Sequence, residues 1–314
     1  MSRRALSLAI RLTVSLGLLV LLGLVVAEPH ELVSRLSAIR APMLAAAFVL
    51  TAGDRVLMAF KWWVLLRARD IGMPIGVAVR AYFASSFAGL FLPVTLGADA
   101  VRLLASRQYG AAEITASIVV ERTLGAVSVV VVALGGCALI AGTLANVALG
   151  PIVLAISVVG LGVAIGFAAS LWLASRWADR PHDTAAPSLL RKVATAYAAY
   201  ARHPGALTSF FALSIVESLV PALVAFVVAR GLNLDAPLWL FVSAIPVSLM
   251  VARLPVSLGG FGVQEASFVY LSGLLGMGRS DAVATMLVVD AVLVLTLLPA
   301  AFDVSILRQQ RPTT

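Results

Sequence analysis

Leu92-Pro93-Val94-Thr95-Leu96-Gly97 and Leu254-Pro255-Val256-Ser257-Leu258-Gly259 are one phrase written twice, identical at five of six positions with Thr95 answered by Ser257, at an offset of 254 − 92 = 162 residues. Each copy falls inside an apolar stretch, about 78 to 110 and about 238 to 277, that would otherwise read as a membrane helix. Proline has no N–H to donate and pushes the residue before it out of the helical region, so both stretches are expected to break at the repeated phrase. In hydrocarbon a broken helix leaves N–H and C=O groups that only protein or water can satisfy. The two breaks are therefore expected to line a cavity.

The rest of the chain reads as membrane protein. Of 314 residues, 61% are hydrophobic and 12% charged, against roughly 45–50% and about 25% in soluble domains. This excludes a soluble enzyme or a nucleic-acid-binding module. The net charge of +8 marks cytoplasmic loops rather than a nucleic-acid surface. One cysteine, Cys137, in an apolar run and three scattered histidines, His30, His182 and His203, build neither a disulfide framework nor a metal site, so no cofactor or metal is expected. A membrane helix needs about 20 mostly apolar residues, and six stretches meet that: roughly 9 to 27, 42 to 60, 113 to 139, 151 to 173, 206 to 229 and 282 to 301. The first is read as a retained helix, because no small-residue cleavage site follows it before Glu28-Pro29-His30.

Charge decides what the broken stretches do. If both crossed fully, the loop carrying Arg176, Arg180, Arg191, Lys192 and Arg202 would lie outside, against the rule that Lys and Arg stay on the cytoplasmic side. If both are hairpins, that loop and the basic residues at Arg3, Arg4, Lys61, Arg67, Arg69, Arg107, Arg308 and Arg311 are cytoplasmic, and only Arg35, Arg40, Arg230 and Arg279 face outward. The expected fold is an all-α polytopic membrane protein with about six full transmembrane helices plus two re-entrant hairpins, both termini inside. Three complete crossings separate the hairpins, so they enter from opposite faces and form an inverted repeat. The chain is expected to be one transmembrane domain, 1–314, with repeat A at 42–139 (hairpin 78–110), repeat B at 206–301 (hairpin 238–277) and a cytoplasmic linker at 174–205 that holds a short amphipathic helix on the leaflet surface. Lys61-Trp62-Trp63 and Trp172, Arg176 and Trp177 sit where interfacial anchors belong. Gly135-Gly136 and Gly160-Leu161-Gly162 read as close helix packing.

Opposed, discontinuous helices are a device of transporters, which place the substrate near the midplane between repeats. The charges inside the apolar stretches supply the rest of the site. An ionisable group at the bilayer centre costs at least about 2.5–3.5 kcal/mol, so Asp99, Arg102, Glu121, Arg122, Arg253, Glu265 and Asp290, with Asp54, Arg55 and Glu217, are expected to face one another or a wet cavity. Pro93, Gly97, Pro255, Gly259, Gly260, Gly262 and Gln264 complete the substrate-binding set at the hairpin tips, where glycine permits close backbone approach. The helix after each break points its N-terminal amides inward, an arrangement that favours anions, with Arg102 and Arg253 nearby. Asp99 and Glu265 either cap those helices, contact a cationic group or carry a coupling proton.

The order Lys61-Trp62-Trp63 and Arg67, LPVTLGADAVR at 92–102, ERTLG at 121–125 and PVSLGGFGVQE at 255–265 resembles the lysylphosphatidylglycerol synthase transmembrane-region family, also called flippase-like domain proteins, over roughly 10–305. The resemblance implies movement of lipids between leaflets: aminoacylated phosphatidylglycerol in some members, hopanoids or glycolipids in others. It places the family's Gly-Gly-Asp-x-x-Arg pattern on Gly97, Ala98, Asp99 and Arg102, its Glu-Arg pair on Glu121 and Arg122, and its Gly-Gly-x-Gly-x-x-Glu pattern on Gly259, Gly260, Gly262 and Glu265. Ala98 departs from the pattern, as does the end of the chain at Thr314, where the synthases continue into a soluble aminoacyltransferase domain, so lipid aminoacylation is not expected.

The first expectation is a bacterial inner-membrane lipid transporter, not an enzyme, that carries a polar, anionic-headgroup lipid between leaflets, with Arg102, Arg122 and Arg253 holding the headgroup and a lipid-modifying synthase or glycosyltransferase as partner. An ion- or proton-coupled transporter of a small solute, a membrane-embedded lipid enzyme and a noncatalytic partner of a lipid-modifying enzyme stand beside it.

Overall fold

The computed structural model describes residues 17, 29–37, 39–91, 95–143, 150–178, 188–252 and 260–303, and every regular element among them is helical. In chain order these are α1 (Pro29–Ser37), α2 (Ala41–Arg67), α3 (Ile75–Phe91), α4 (Thr95–Ser106), α5 (Ala111–Thr143), α6 (Gly150–Ala178), α7 (Ser188–Ala198), α8 (Pro204–Gly231), α9 (Leu238–Ala252), α10 (Val263–Leu274), α11 (Arg279–Leu297) and α12 (Pro299–Phe302). Five helices among the described residues are long and apolar enough to cross a membrane: α2, α5, α6, α8 and α11 with α12. They match five of the six expected spans; the sixth, 9 to 27, lies outside the described residues apart from Gly17. Leu154, Leu161 and Ile165 on α6 are about three-fifths exposed, as lipid-facing side chains should be.

Both apolar stretches that carry the repeated phrase are broken in two, α3 from α4 and α9 from α10, and each pair packs together. At the first break a Cβ built on Gly89 would stand 3.4 Å from the Cβ of Ala98; at the second, one on Gly260 would stand 3.2 Å from the Cβ of Ala252. Ala98, the alanine that stands at a family glycine, is thus buried against the opposite arm of its own hairpin, so its methyl fills helix–helix space.

The element order repeats. A long helix, two short ones and a second long one run through α2–α5 and again through α8–α11. Packing repeats with it: α5 lies on α9 as α11 lies on α3, α5 on α8 as α11 on α2, and α7 on α5 as α1 on α11, while α2 and α8 meet at the centre. Within the stretch read as a linker, α7 docks on the bundle, burying Ala196, Tyr197 and Tyr200 with Leu65, Ala116 and Phe210.

Two expectations are corrected. α2 does not end near residue 60 but runs to Arg67, which carries Lys61 and Trp62 inside the protein rather than to an interface: Lys61 is 3% exposed and Trp62 fully buried. Gly136 and Gly160 do serve packing, since a Cβ on Gly136 would meet the Ser243 carbonyl of α9 at 2.5 Å and one on Gly160 the Val130 side chain of α5 at 2.2 Å.

Candidate functional site

A cavity of about 150 Å³ opens where the two breaks converge. The first hairpin contributes Gly89 and Leu90 from the end of α3, the second Phe261, Gln264 and Glu265 from the start of α10; α2 adds Thr51, Asp54 and Arg55, and α11 adds Asp290. At roughly 30 Å³ per water this volume holds about five waters.

The polar atoms here are incompletely satisfied. Arg55 reaches back to its neighbour Asp54, Nη2 to Oδ2 at 2.5 Å, while Asp54 Oδ1, Arg55 Nε and Asp290 Oδ2 are buried with no hydrogen-bond partner in the protein. Asp54 is only 4% exposed. Most buried polar atoms in folded proteins are paired; of the five buried side-chain atoms without a hydrogen-bond partner among the described residues, these three lie on the wall of one cavity, while Arg102 Nε and Glu121 Oε2 lie elsewhere. Glu265 is 2% exposed and accepts a hydrogen bond on Oε2 from the Gly262 N–H, capping its own helix, and it shares the cavity wall with Asp290. Gly260 and Gly262 have φ of 89° and 83°, left-handed conformations that turn the chain into α10 and that glycine adopts without strain.

A second set of charges lies behind the first hairpin. Arg102, 1% exposed, bonds Glu121 at 2.7 Å and Asp99 at 3.2 Å, with its guanidinium 4.8 Å from the ring centroids of both Trp62 and Tyr82. Arg122 holds Asp99 in two-pronged fashion, Nη2 to Oδ1 at 2.7 Å and Nε to Oδ2 at 3.0 Å. Tyr82 donates its hydroxyl to Glu121 at 2.7 Å, and Trp62 Nε1–H donates to Ser117 at 2.9 Å. A third pair, Lys61 with Glu217 at 2.9 Å, joins α2 to α8, and Lys61 also donates to Ser214 at 3.0 Å.

The expected site residues thus divide. Asp54, Arg55, Gln264, Glu265 and Asp290 meet at the cavity, with Gly260 and Gly262 shaping the turn into it. Asp99, Arg102, Glu121 and Arg122 form a closed ionic cluster that does not line the cavity, and Gly97 precedes it on α4. Glu217 belongs to the Lys61 pair. Pro93, Arg253, Pro255 and Gly259 lie outside the described residues. Thr51, Phe261 and Tyr82 were absent from the expected set. Tyr82 carried a signal, since a tyrosine in the middle of an apolar helix needs a partner for its hydroxyl; Thr51 and Phe261 carried none.

The described residues include no group of three or more His, Cys, Asp or Glu arranged to hold a metal ion. A family model described as the lysylphosphatidylglycerol synthase TM region matches residues 8–301, nearly the whole chain. No curated protein matches the chain significantly.

Proposed function

The chain belongs to the lysylphosphatidylglycerol synthase transmembrane-region family, a flippase-like membrane domain, and from that premise we propose that it moves a lipid between the leaflets of the bacterial inner membrane, holding the headgroup in the cavity between the two hairpins. The observation that carries the reading is the convergence of both breaks on one cavity whose wall bears three unpartnered polar atoms. At about 150 Å³, the cavity takes part of a headgroup while acyl or isoprenoid tails stay in lipid. The inverted arrangement expected from loop charge supplies alternating access: the paired contacts around α2 and α8 give each half a counterpart against which to rock.

The charge of the cavity bears on which headgroup. An anionic headgroup was expected on the strength of Arg102, Arg122 and Arg253; Arg102 and Arg122 are committed to Glu121 and Asp99, Arg253 lies outside the described residues, and the Gly262 amide is already occupied by Glu265. The cavity presents three carboxyls, Asp54, Glu265 and Asp290, against the single guanidinium of Arg55. This composition favours a headgroup with both a phosphate, for Arg55 and Gln264, and an amine, for the carboxyls. Zwitterionic and aminoacylated phospholipids have that chemistry. The reading assigns the chain no bond-making step.

Leaflet exchange in proteoliposomes, measured with fluorescent analogues bearing anionic, zwitterionic and aminoacylated headgroups, tests it. We expect exchange selective for the amine-bearing lipids and its loss in Arg55→Ala. Folded, inserted protein that exchanges none of them overturns the reading.

A further inference from the structure

The cavity contains a pair of acids that the transport reading leaves unused. Glu265 on α10 and Asp290 on α11 line the same cavity, and neither meets a Lys or Arg within ion-pair distance among the described residues. Two carboxyls on one cavity wall with no cation to pair with repel one another when both are ionised, so together they favour holding one proton. Their oxygens are differently placed: Glu265 Oε2 is fixed by the Gly262 N–H, whereas Asp290 Oδ2 has no partner and its residue lines the cavity.

Among the described residues, the surroundings supply no uncommitted positive charge to replace that proton. On α2, across the cavity, the positive Arg55 is engaged by Asp54, whose Oδ1 is a second unpartnered carboxylate oxygen on a side chain 4% exposed. Glu217 of α8 is held by Lys61. α3 and α9 bring Gly89, Leu90 and Leu249 to the wall, none of them charged. Asp281, on the same helix as Asp290, pairs with Arg35 away from the cavity. The remaining charge of this hairpin, Arg253, lies outside the described residues.

Resting on the transport reading above, we infer that Glu265 and Asp290 form a single proton-binding site whose proton is exchanged for the cationic part of the headgroup. An amine that approaches Asp290 Oδ2 and Asp54 Oδ1 displaces the shared proton, which leaves to water. The pair passes from one negative charge to two, and the incoming ammonium restores the balance. When the headgroup departs on the other side, a proton from that side takes its place. The exchange is one proton for one ammonium, so a gradient of one pH unit biases the leaflet distribution by about tenfold, with amine-bearing lipid driven toward the more alkaline compartment's opposite leaflet, against the proton flow. Acid also weakens binding of the amine, because the same site prefers the proton.

The test is calorimetric titration of the full-length protein in mild detergent with dihexanoyl phosphatidylethanolamine, repeated in two buffers of different ionisation enthalpy to count protons, with dihexanoyl phosphatidylglycerol as the amine-free arm and O-phosphoethanolamine as the soluble arm. We expect close to one proton released per phosphatidylethanolamine bound, none with phosphatidylglycerol, and loss of the release in both Asp290→Asn and Glu265→Gln. Each variant keeps a hydrogen-bonding amide in place, and either one reads the release should the other fold poorly. Asp235→Asn, at a side chain 96% exposed, should release the proton as wild type does. Binding of phosphatidylethanolamine without proton release overturns the exchange and leaves lipid transport standing. Proton release with O-phosphoethanolamine alone keeps the proton site and transfers the chain to solute transport. Absence of binding by every probe, together with no leaflet exchange in liposomes, overturns both readings.

Discussion

The two hairpins share a sequence phrase and an element order, yet they treat charge in opposite ways. In the first, the arm after the break presents Arg102 to the next long helix, which answers with Glu121, and aromatic rings of Trp62 and Tyr82 cover the guanidinium. In the second, the corresponding arm presents Glu265 and the next long helix carries another acid, Asp290, on the same cavity wall. Opposite charges close on each other and stay; two acids without a cation favour holding one proton, and Asp290 retains an unpartnered oxygen. The difference teaches that one hairpin is held as a strut by paired charges, while the acids of the other are the ones the proposed exchange draws on.

The comparison breaks most visibly at Glu121. Replacing it with Leu leaves the buried Arg102 guanidinium with only its longer contact to Asp99, and unfolding in mild detergent should show a loss of about 3 kcal/mol; a loss below about 1 kcal/mol, the worth of an exposed pair, would mean that the first hairpin is not held by this contact. Replacing Arg102 with Met and Glu121 with Leu together should recover most of that stability, because no lone charge remains. Next in size is Gly260→Ala. Its φ of 89° and a neighbour at 3.2 Å predict a loss of about 1–2 kcal/mol, read from the same melts. Trp62→Phe removes the hydrogen bond to Ser117 and weakens the stack on Arg102, for about 1 kcal/mol. The smallest effect on stability belongs to the second hairpin's acids: Glu265→Gln should change it by under about 1 kcal/mol, since an amide oxygen can still accept from Gly262, while abolishing proton-linked exchange. A large stability loss there would make Glu265 a strut like Arg102 and erase the contrast.

Much of this was legible in the chain. The repeated phrase located both breaks because proline acts on its own backbone and its immediate neighbour, a purely local effect. The spans were legible because hydrocarbon demands about 20 apolar residues in a row. Lys61-Trp62 was misplaced for the complementary reason: a basic residue beside tryptophan is the ordinary sign of a helix end, and only the partners Glu217, Ser117 and Arg102, distant in sequence, hold the pair inside. The charges of the site were all named, but their grouping was not. Asp54 and Arg55 looked peripheral, and Arg102 and Arg122 looked central, until their neighbours were in place.

By itself, then, the amino-acid sequence determined that the protein lies in the membrane, that it is helical, where its helices break and which residues are too polar to face lipid, since each of these follows from local composition and backbone chemistry. Tertiary structure alone decided which charges neutralise one another and which are left over, because ion pairing depends on distances of a few ångströms between side chains as far apart in the chain as Lys61 and Glu217, and those distances exist only once α2 and α8 have packed together.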